Sequence, residues 1–401
     1  RRADPGDNVW DGGCHAPRSD LALLLPCHAG RAAARAPGGA GPGGDVARSR
    51  VLAGAAHVRV HLVDTVLTVV VDPVAQLRGG EVDEVELVGA VAVDGIDELE
   101  RLGAFERSYL LLMSPTGTGW VDQAMIDAAE ILTRGDIATA CIQYGRGPSF
   151  LEVQKVHLGR SQFRGLLWGV KMRLQSIPPE QRPTILVFGE SLGAWSSSDV
   201  VMHQGIGGFD HYGIDRALWF GLPGLAKWSK TGMRQGSSDL VPPGTVGAFD
   251  NFGEYEQLSE EERKKLRAVI VDHDNDPIAQ MSFRWAVKRP PWLDGDERGR
   301  NVPEGMQWVP LITFVQIMVD AMNAMRVVPG QFKSFGHDYR GDTAQFVHAA
   351  YQFDDVTEEQ MEKLIDAELA GMDLRGLDFS KAHLKGADLT GCNLDGADFT
   401  R

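Results

Sequence analysis

The chain has 401 residues, of which 43% are hydrophobic, so it can form a sizeable core. This length exceeds one ordinary domain and also suits one large α/β domain with additional segments. The formal net charge of −15 argues against a nucleic acid as the main partner, because phosphate binding depends on clustered Lys and Arg.

Cysteine spacing argues against a metal-knuckle or disulfide-framework protein, and hydropathy argues against a membrane-spanning chain. The four cysteines lie far apart without the spacing of a metal knuckle or a disulfide framework, so free thiols are expected. No apolar run reaches eighteen residues, and the nearest, from Val58, is interrupted by Asp64 and Asp72. A soluble chain is therefore expected.

The amino-terminal quarter carries little functional signal. Residues 1–50 are rich in Arg, Ala, Gly and Pro without a sustained period, which predicts disorder. The sequence does not begin with Met, which indicates a fragment, a processed form or a misread start. Residues 51–97 alternate β-branched runs with acidic turns, which favours edge strands or a hairpin.

From residue 98 to about 355, strand and helix patterns alternate. Strands are predicted at "SYLLLMS", "IATACIQYG", "TILVFG", "RALWFGLPG" and "AVIVD", and helices at "IDELERLGAFERS", "QAMIDAAEIL", "EVQKVHLGRSQFRGLLWGVKMRLQS", "EEERKKLRA" and "PLITFVQIMVDAMNAM". Fully apolar strands are typical of a sheet covered by helices on both faces. The pattern predicts an α/β fold with a doubly wound, mostly parallel sheet.

Two stretches interrupt this alternation. Residues 225–260 are rich in Gly and Pro and show little periodicity, as does the stretch that begins at Arg289. Long irregular loops inside a compact domain are usually functional. A cap or substrate-binding excursion is one interpretation of 225–260, and a plain surface insertion is the other.

The last thirty residues, 372–401, form a five-residue repeat. A Leu or Phe recurs at every fifth position from Leu374 to Phe399, which matches neither a helix nor a strand. Such a period suits a solenoid whose large apolar side chains point inward. The segment resembles the pentapeptide-repeat family, which implies a short right-handed β-helix of six repeats.

The stretch "PTILVFGESLGAWSSSD", residues 183–199, organises the chemistry. An apolar strand leads into a Gly-x-Ser-x-Gly turn at Gly189, Ser191 and Gly193, and a helix follows. This order is that of a nucleophile elbow, in which the flanking glycines avoid collisions with the strand and the helix. The plainer alternative is a glycine-rich turn with an incidental Ser.

The acid of a catalytic triad is predicted just after the strand "AVIVD". The sequence "HDNDPIAQ" offers Asp272, Asp274 and Asp276 at the carboxyl end of that strand, where such sheets place catalytic groups. Asp276 is favoured because the turn places it clear of the strand and Pro277 stiffens the chain. Asp274 is second, and any of the three also fits a solvated turn carboxylate.

The base and the oxyanion donors complete the predicted site. His337 lies in a Gly-flanked loop after the last strand-like segment, whereas His348 is more simply a packing or surface residue. The order Ser, acid, His is that of α/β hydrolases. The oxyanion donors expected are the backbone N–H groups of Leu192 and of Thr116 or Gly117 in the loop "SPTGTGW".

Three more residues are expected near the elbow. Trp120 and Tyr144, near the carboxyl ends of neighbouring strands, are candidates for lining the acyl pocket, although core aromatics are the plainer interpretation. Glu190, beside the nucleophile, has no triad role and is expected to bond nearby backbone or to tune the pocket.

Six collinear stretches, "ELERLGAFERS", "SPTGTGWVD", "FGESLGAW", "DNDPI", "PPWL" and "FGHDY", carry a resemblance. The segment from Glu98 to Tyr351 resembles a bacterial, largely actinobacterial, α/β-hydrolase family whose catalytic domain follows an amino-terminal multi-span membrane region. The resemblance implies an esterase-type or lipase-type serine hydrolase with Ser191, Asp276 and His337 as its triad, no metal and no cofactor. It also implies that full-length relatives are membrane-anchored.

Two function classes therefore compete. The first is a serine hydrolase acting on a small-molecule or lipid ester, with an acyltransferase or amidase as a variant of the same triad. The second is a hydrolase-fold scaffold whose repeats at 372–401 bind a protein partner or self-associate. The scaffold is disfavoured because an elbow, an acid and a base stand in the catalytic order.

Overall fold

The structure is a computed structural model that describes part of the chain. It describes residues 94–353 with gaps at 146, 230–239, 296–297, 300–301 and 325–335, residues 356–357, and the backbone of two strands at 57–63 and 66–72. The expected disorder of 1–50 and the repeats at 372–401 lie outside the described residues. Cys141 is a buried free thiol, and the other three cysteines also lie outside them.

Eight of the strands form one sheet, in the order β1-β2-β4-β3-β5-β7-β9-β8. The strand bounds are β1 His57–Val63, β2 Val66–Asp72, β3 Tyr109–Ser114, β4 Ile137–Ile142, β5 Thr184–Glu190, β6 His203–Ile206, β7 Ile214–Phe220, β8 Val246–Phe249 and β9 Ala268–Val271. Strands β1 and β2 form an antiparallel hairpin at one edge, and all other pairs are parallel. The expected doubly wound, mostly parallel sheet is confirmed.

Most helices lie between strands in the chain, and the last two follow the last strand. They are α1 at 94–101, α2 Gln123–Leu132, α3 Ser149–Glu152, α4 Val156–Leu174, α5 Leu192–Val201, α6 Gly207–Tyr212, α7 Phe252–Glu256, α8 Glu260–Lys265, α9 Ile312–Asn323 and α10 Thr343–Tyr351. Helix α2 begins after the N-cap Asp122, whose carboxylate accepts the N–H of Ala124.

The sheet separates two apolar cores. Leu110 and Leu112 of β3 contact the core that includes Phe163 of α4, and Leu111 contacts the opposite core that includes Phe346 of α10. Alternate residues of a strand face opposite sides of the sheet, so a fully apolar strand is buried on both. This explains the unbroken apolar runs in the sequence.

Two elements differ from what the sequence pattern alone suggests. Residues 225–260 show little periodicity, yet Val246–Phe249 forms β8, which pairs with β9 at the edge of the sheet. The apolar helix expected at the end of the alternation forms as α9. It packs on a separate cluster that includes Trp285, Trp292 and Ile317, whereas α10 covers the sheet beside α2.

The chain changes direction across the sheet between β3 and β5. From β3 it moves outward to β4, and from β5 it moves the other way to β7 and β9. In open α/β sheets, ligands bind at the carboxyl ends of strands where the order reverses. The loops after β3 and β5 are therefore where a site is expected.

Candidate active site

Ser191 forms a strained turn between β5 and α5. Its φ is 56° and its ψ is −123°, a conformation that costs a residue with a side chain of the order of 1–3 kcal/mol. The two elbow glycines make room for it. A Cβ on Gly193 would lie 2.1 Å from the carbonyl oxygen of Ser114, and a Cβ on Gly189 would lie 2.5 Å from the Ser197 hydroxyl oxygen. The sequence therefore folds into the expected elbow.

His337 and Asp276 form a buried hydrogen-bonded pair. The distance from His337 Nδ1 to Asp276 Oδ2 is 2.6 Å, and both side chains are inaccessible to solvent. The same Oδ2 accepts the hydroxyl of Tyr339 at 2.6 Å, and Oδ1 accepts the N–H of Ile278 at 2.8 Å. Asp276 is thus the carboxylate that orients this imidazole.

The other two candidate acids have different surroundings. The carboxylate of Asp272, directly after β9, accepts the N–H of Leu222 at 2.8 Å. Asp274 is partly exposed, and its backbone carbonyl lies against Gly299. The carboxylate bonded to His337 is thus the one that the sequence favoured.

The surroundings of Asp276 hold its carboxylate ionised. Burial alone raises the pKa of a carboxyl, but the charge of His337 and the three hydrogen bonds outweigh it. The pKa of Asp276 therefore lies below its ordinary value. Burial and the nearby charges of Asp276 and Asp272 raise the pKa of Tyr339, so this phenol stays a donor.

Ser191 and His337 each lie against the end of β7, at the neighbouring residues Phe220 and Gly221. The N–H of Ser191 donates to the carbonyl oxygen of Phe220 at 2.9 Å, and a Cβ on Gly221 would lie 2.4 Å from the His337 ring. Among the described residues, the buried Nε2 of His337 has no hydrogen-bond partner. The imidazole therefore has one nitrogen fixed by Asp276 and one available at the edge that carries Ser191.

The loop after β3 packs directly on the elbow. Ser114 lies against Gly193, and a Cβ on Gly117 would lie 2.7 Å from the side chain of Leu192. Leu192 is the first residue of α5, where a helix leaves its N–H groups unpaired. The N–H of Thr116, by contrast, donates to the carbonyl oxygen of Trp120 at 3.0 Å. The expectation that Thr116 is an oxyanion donor is therefore disfavoured, and Gly117 stays the candidate.

The two aromatic candidates differ in exposure. Trp120 is partly exposed and closes the β3 loop through its carbonyl. Tyr144 is 1% exposed and packs with Val156, Leu158 and Leu192 behind the elbow. The plainer interpretation as a core aromatic describes Tyr144 well, and its role in a pocket stays a prediction.

Two buried carboxylates beside the elbow have no part in this pair. Asp122 is 2% exposed and Glu190 is 4% exposed, and each keeps one oxygen without a hydrogen-bond partner among the described residues. Burial raises the pKa of Asp122 to about 6 and that of Glu190 well above its ordinary value. Asp338 adds to both shifts, and Arg340 opposes them. The N-cap position before α2 is a sequence signal that could have identified Asp122. That signal does not predict that its carboxylate is buried.

His273 was not found by sequence reasoning. Its ring nitrogens lie 2.8 Å from the carbonyl oxygen of Gly336 and 2.8 Å from the carboxylate of Asp342, and its ring stacks on Tyr339 at 4.2 Å. It therefore ties the loop of the acid to the loop of the base. These partners are more than sixty residues away, so no local pattern predicts them.

The described residues contain no group of three or more His, Cys, Asp or Glu side chains arranged to hold a metal ion. Within the described part of the chain, no helix combines the length and hydropathy needed to span a bilayer.

Known proteins resemble the chain at two levels. A family model described as "Alpha/beta-hydrolase family" matches residues 82–364, and a pentapeptide-repeat model matches residues 363–401 with eight copies. The repeats thus begin nine residues earlier than position 372, where we expected them, and number eight rather than six. No curated protein matches the chain.

Solved structures are similar to the chain only at low identity. Lysin B from mycobacteriophage D29 is 15% identical with a TM-score of 0.33, over 61% of this chain and 99% of that one. A Trichoderma reesei cutinase with a phosphonate inhibitor is 11% identical with a TM-score of 0.28, over 67% and 90%. The acetyl xylan esterase core from the same organism is 14% identical with a TM-score of 0.25, over 41% and 82%. Scores this low support no argument about function. The α/β-hydrolase model, however, spans well over half of the residues, and the chain belongs to the α/β-hydrolase family.

Proposed function

We propose that the chain is a serine hydrolase that cleaves carboxylic esters through Ser191, His337 and Asp276. The observation that carries this proposal is the 2.6 Å hydrogen bond between His337 Nδ1 and Asp276 Oδ2. The other ring nitrogen, Nε2, is unpaired among the described residues. Ser191 bonds Phe220, which is next to the glycine that His337 contacts. A buried imidazole fixed by a carboxylate is the arrangement that activates a serine.

In the proposed mechanism, Ser191 Oγ attacks the ester carbonyl carbon while its proton passes to Nε2 of His337. The carbonyl oxygen becomes an oxyanion, for which the N–H groups of Leu192 and Gly117 are the donors. Collapse of this intermediate breaks the bond to the alcohol, which leaves with the proton from Nε2. Water then attacks the acyl-enzyme in the same way, releases the acid and returns the proton to Ser191.

Asp276 has two roles in this scheme. By accepting Nδ1–H, it keeps Nε2 unprotonated and facing the nucleophile, and its negative charge stabilises the imidazolium that forms. The hydrogen bonds from Tyr339 and Ile278 keep the carboxylate ionised when that charge appears. Asp276 is therefore not expected to take up the proton.

A fluorophosphonate probe and a p-nitrophenyl ester test the proposal. The native chain should be labelled and should hydrolyse the ester, and Ser191→Ala should do neither. Ser198→Ala is the matched control, because Ser198 is also a buried serine of α5 but bonds only a carbonyl of its own helix. The control should keep both activities.

Ester turnover by a folded Ser191→Ala protein would refute the proposal. A folded native chain that is neither labelled nor active would favour the scaffold class, in which deletion of the repeats abolishes partner binding. Parallel assays with an amide and with an alternative acyl acceptor separate hydrolysis of esters from amidase or transferase activity. A series of p-nitrophenyl esters of increasing acyl length then defines the substrate.

A further inference from the structure

Large apolar side chains are exposed beside the loop that carries Gly117. In and just after α3, Phe150 is 53% exposed, Leu151 57% and Val153 42%. Ser149, which begins this helix, lies against the loop, because a Cβ on Gly117 would lie 2.9 Å from the Ser149 Cα atom. One rim of the proposed active site is therefore apolar.

A second exposed apolar surface lies in the segment 277–324, between the acid and the base in the chain. Helix α9 is apolar around most of its circumference, yet only Thr313 and Ile317 are buried. The exposed apolar side chains of this segment, at 42% to 77% exposure, are Phe283, Val287, Val309, Leu311, Ile312, Val315, Met318, Val319 and Met322. A groove of about 490 Å³ runs along α9 between Leu311 and Asp320.

Two contacts join these residues into one surface. Phe283 contacts Phe314 of α9 with ring centroids 5.8 Å apart, and the N–H of Leu311 donates to the carbonyl oxygen of Ala286 at 2.9 Å. The segment also lies against the acid loop, since a Cβ on Gly299 would lie 2.6 Å from the carbonyl oxygen of Asp274. The segment 277–324 therefore contacts the loop that carries Asp276.

The charge of residues 277–293 departs from that of the chain, whereas α9 carries the exposed Asp320. Residues 277–293 contain the exposed cations Arg284, Lys288 and Arg289 and no acidic residue, although the whole chain has a net charge of −15. Arg289 is paired with Asp294, which leaves two cations next to Phe283 and Val287. Apolar side chains beside Lys and Arg favour binding at the interface of a phospholipid layer. There the apolar side chains are buried among the acyl chains, and the cations contact the phosphate groups.

We propose that the exposed residues of α3, of 283–287 and of α9 bind a phospholipid bilayer, and that the substrates are esters presented by that bilayer. This inference rests on the proposed esterase function. A bilayer bound at these apolar residues would also present ester substrates to the proposed site.

Vesicle flotation with the full chain tests the proposal. The vesicles are phosphatidylcholine alone or with a minority of phosphatidylglycerol, and the variant is the double substitution Val315→Glu with Val319→Glu. Met172→Glu is the control, because Met172 is 48% exposed on α4, outside both segments. Binding by the double variant should fall about tenfold or more while the control binds normally. Arg284→Gln with Lys288→Gln should weaken binding only to the anionic vesicles.

Activity assays separate this inference from the proposed function. Hydrolysis of a water-soluble p-nitrophenyl ester should be equal in the native chain, the double variant and the control, and hydrolysis of an ester dispersed in vesicles should fall in the double variant alone. Absence of vesicle binding by the native chain, or equal binding by the double variant, overturns the inference. A native dimer that the double substitution converts to a monomer also overturns it, because the surface would then belong to a second copy. Failure to hydrolyse the soluble ester refutes the proposed function instead.

Discussion

Replacing Asp122 by Asn tests how the buried carboxylates beside the elbow affect stability. Asp122 is 2% exposed, its Oδ1 accepts the N–H of Ala124 at 3.0 Å, and its Oδ2 is unpaired among the described residues. Burial, with smaller contributions from the charges of Asp338 and Asp127, raises its pKa from 3.8 to about 6 against the opposing charge of Arg340. Asn keeps an oxygen for the N-cap bond and does not titrate.

The sign and the size of the effect follow from this shift. Between pH 3.8 and about pH 6, folded Asp122 holds a proton that the unfolded chain has released, so stability falls as pH rises through this window. A rise of about two pKa units corresponds to about 3 kcal/mol. The free energy of unfolding of Asp122→Asn, relative to the native chain, should therefore increase by about 2 to 3 kcal/mol between about pH 4 and about pH 7.5.

Urea denaturation followed by tryptophan fluorescence at the two pH values measures this difference. The unpaired amide of Asn adds a penalty that is the same at both pH values and cancels in the comparison. Asp215→Asn, which changes a carboxylate that is 50% exposed, is the control. A difference between Asp122→Asn and the native chain that stays constant, or shrinks as pH rises, would contradict the electrostatic reasoning.

Three further substitutions have defined outcomes. Asp276→Asn should lower kcat for a p-nitrophenyl ester by about 10⁴ with unchanged circular dichroism, because His337 loses the acceptor that fixes its tautomer. Tyr339→Phe removes a hydroxyl bonded to a buried carboxylate and should reduce the free energy of unfolding by about 1.5 to 3 kcal/mol in urea. Gly193→Ala should lower the melting temperature strongly, because its methyl group would lie 2.1 Å from a carbonyl oxygen, whereas Gly207→Ala, with no atom within 4 Å, should change it little.

The strands of the inner sheet are predictable because burial on both faces leaves a continuous apolar run. Residues 109–114 and 184–190 are such runs, and the structure forms β3 and β5 there. An edge strand lacks this signal. Val246–Phe249, in β8, has four residues, includes a glycine and pairs only with β9, so its sequence looks like the loop around it.

Helix α9 shows a different limit of the sequence pattern. The apolar composition of 312–323 correctly indicates a helix, but it does not say which surface covers that helix. In the structure, α9 contacts residues 283–286, and most of its apolar side chains are exposed. Sequence periodicity predicts that a helix has an apolar face. Which part of the molecule packs on that face depends on the tertiary structure.

At the candidate site, chain order and local turn chemistry were informative, and long-range contacts were not. The Gly-x-Ser-x-Gly pattern allows the turn to be predicted from five residues, although the close approach of Gly193 to Ser114 spans seventy-nine residues. The N–H of Leu222 donates to the carboxylate of Asp272, fifty residues later in the chain, whereas the carboxylate of Asp276 bonds His337. No local pattern predicts these two bonds. The bond from Tyr339 to Asp276 spans sixty-three residues and has no sequence signature.

Several buried polar atoms without a partner in the described part of the chain lie near the strained turn at Ser191. Ser191 has a positive φ, and near it Asp122, Glu190 and His337 each keep a buried polar atom without a partner among the described residues. Each such group destabilises a fold by about 1–3 kcal/mol, and folded proteins seldom keep them without a reason. Packing of the sheet does not require any of them, because the two apolar cores lie on its faces while these groups lie at its carboxyl edge. In the proposed reaction, Nε2 of His337 gains a partner, first the hydroxyl of Ser191 and then the departing alcohol. The buried carboxylates have no equivalent partner in that reaction, so neutralising Asp122 should benefit stability more at about pH 7.5 than at about pH 4, whereas replacing His337 should abolish ester hydrolysis.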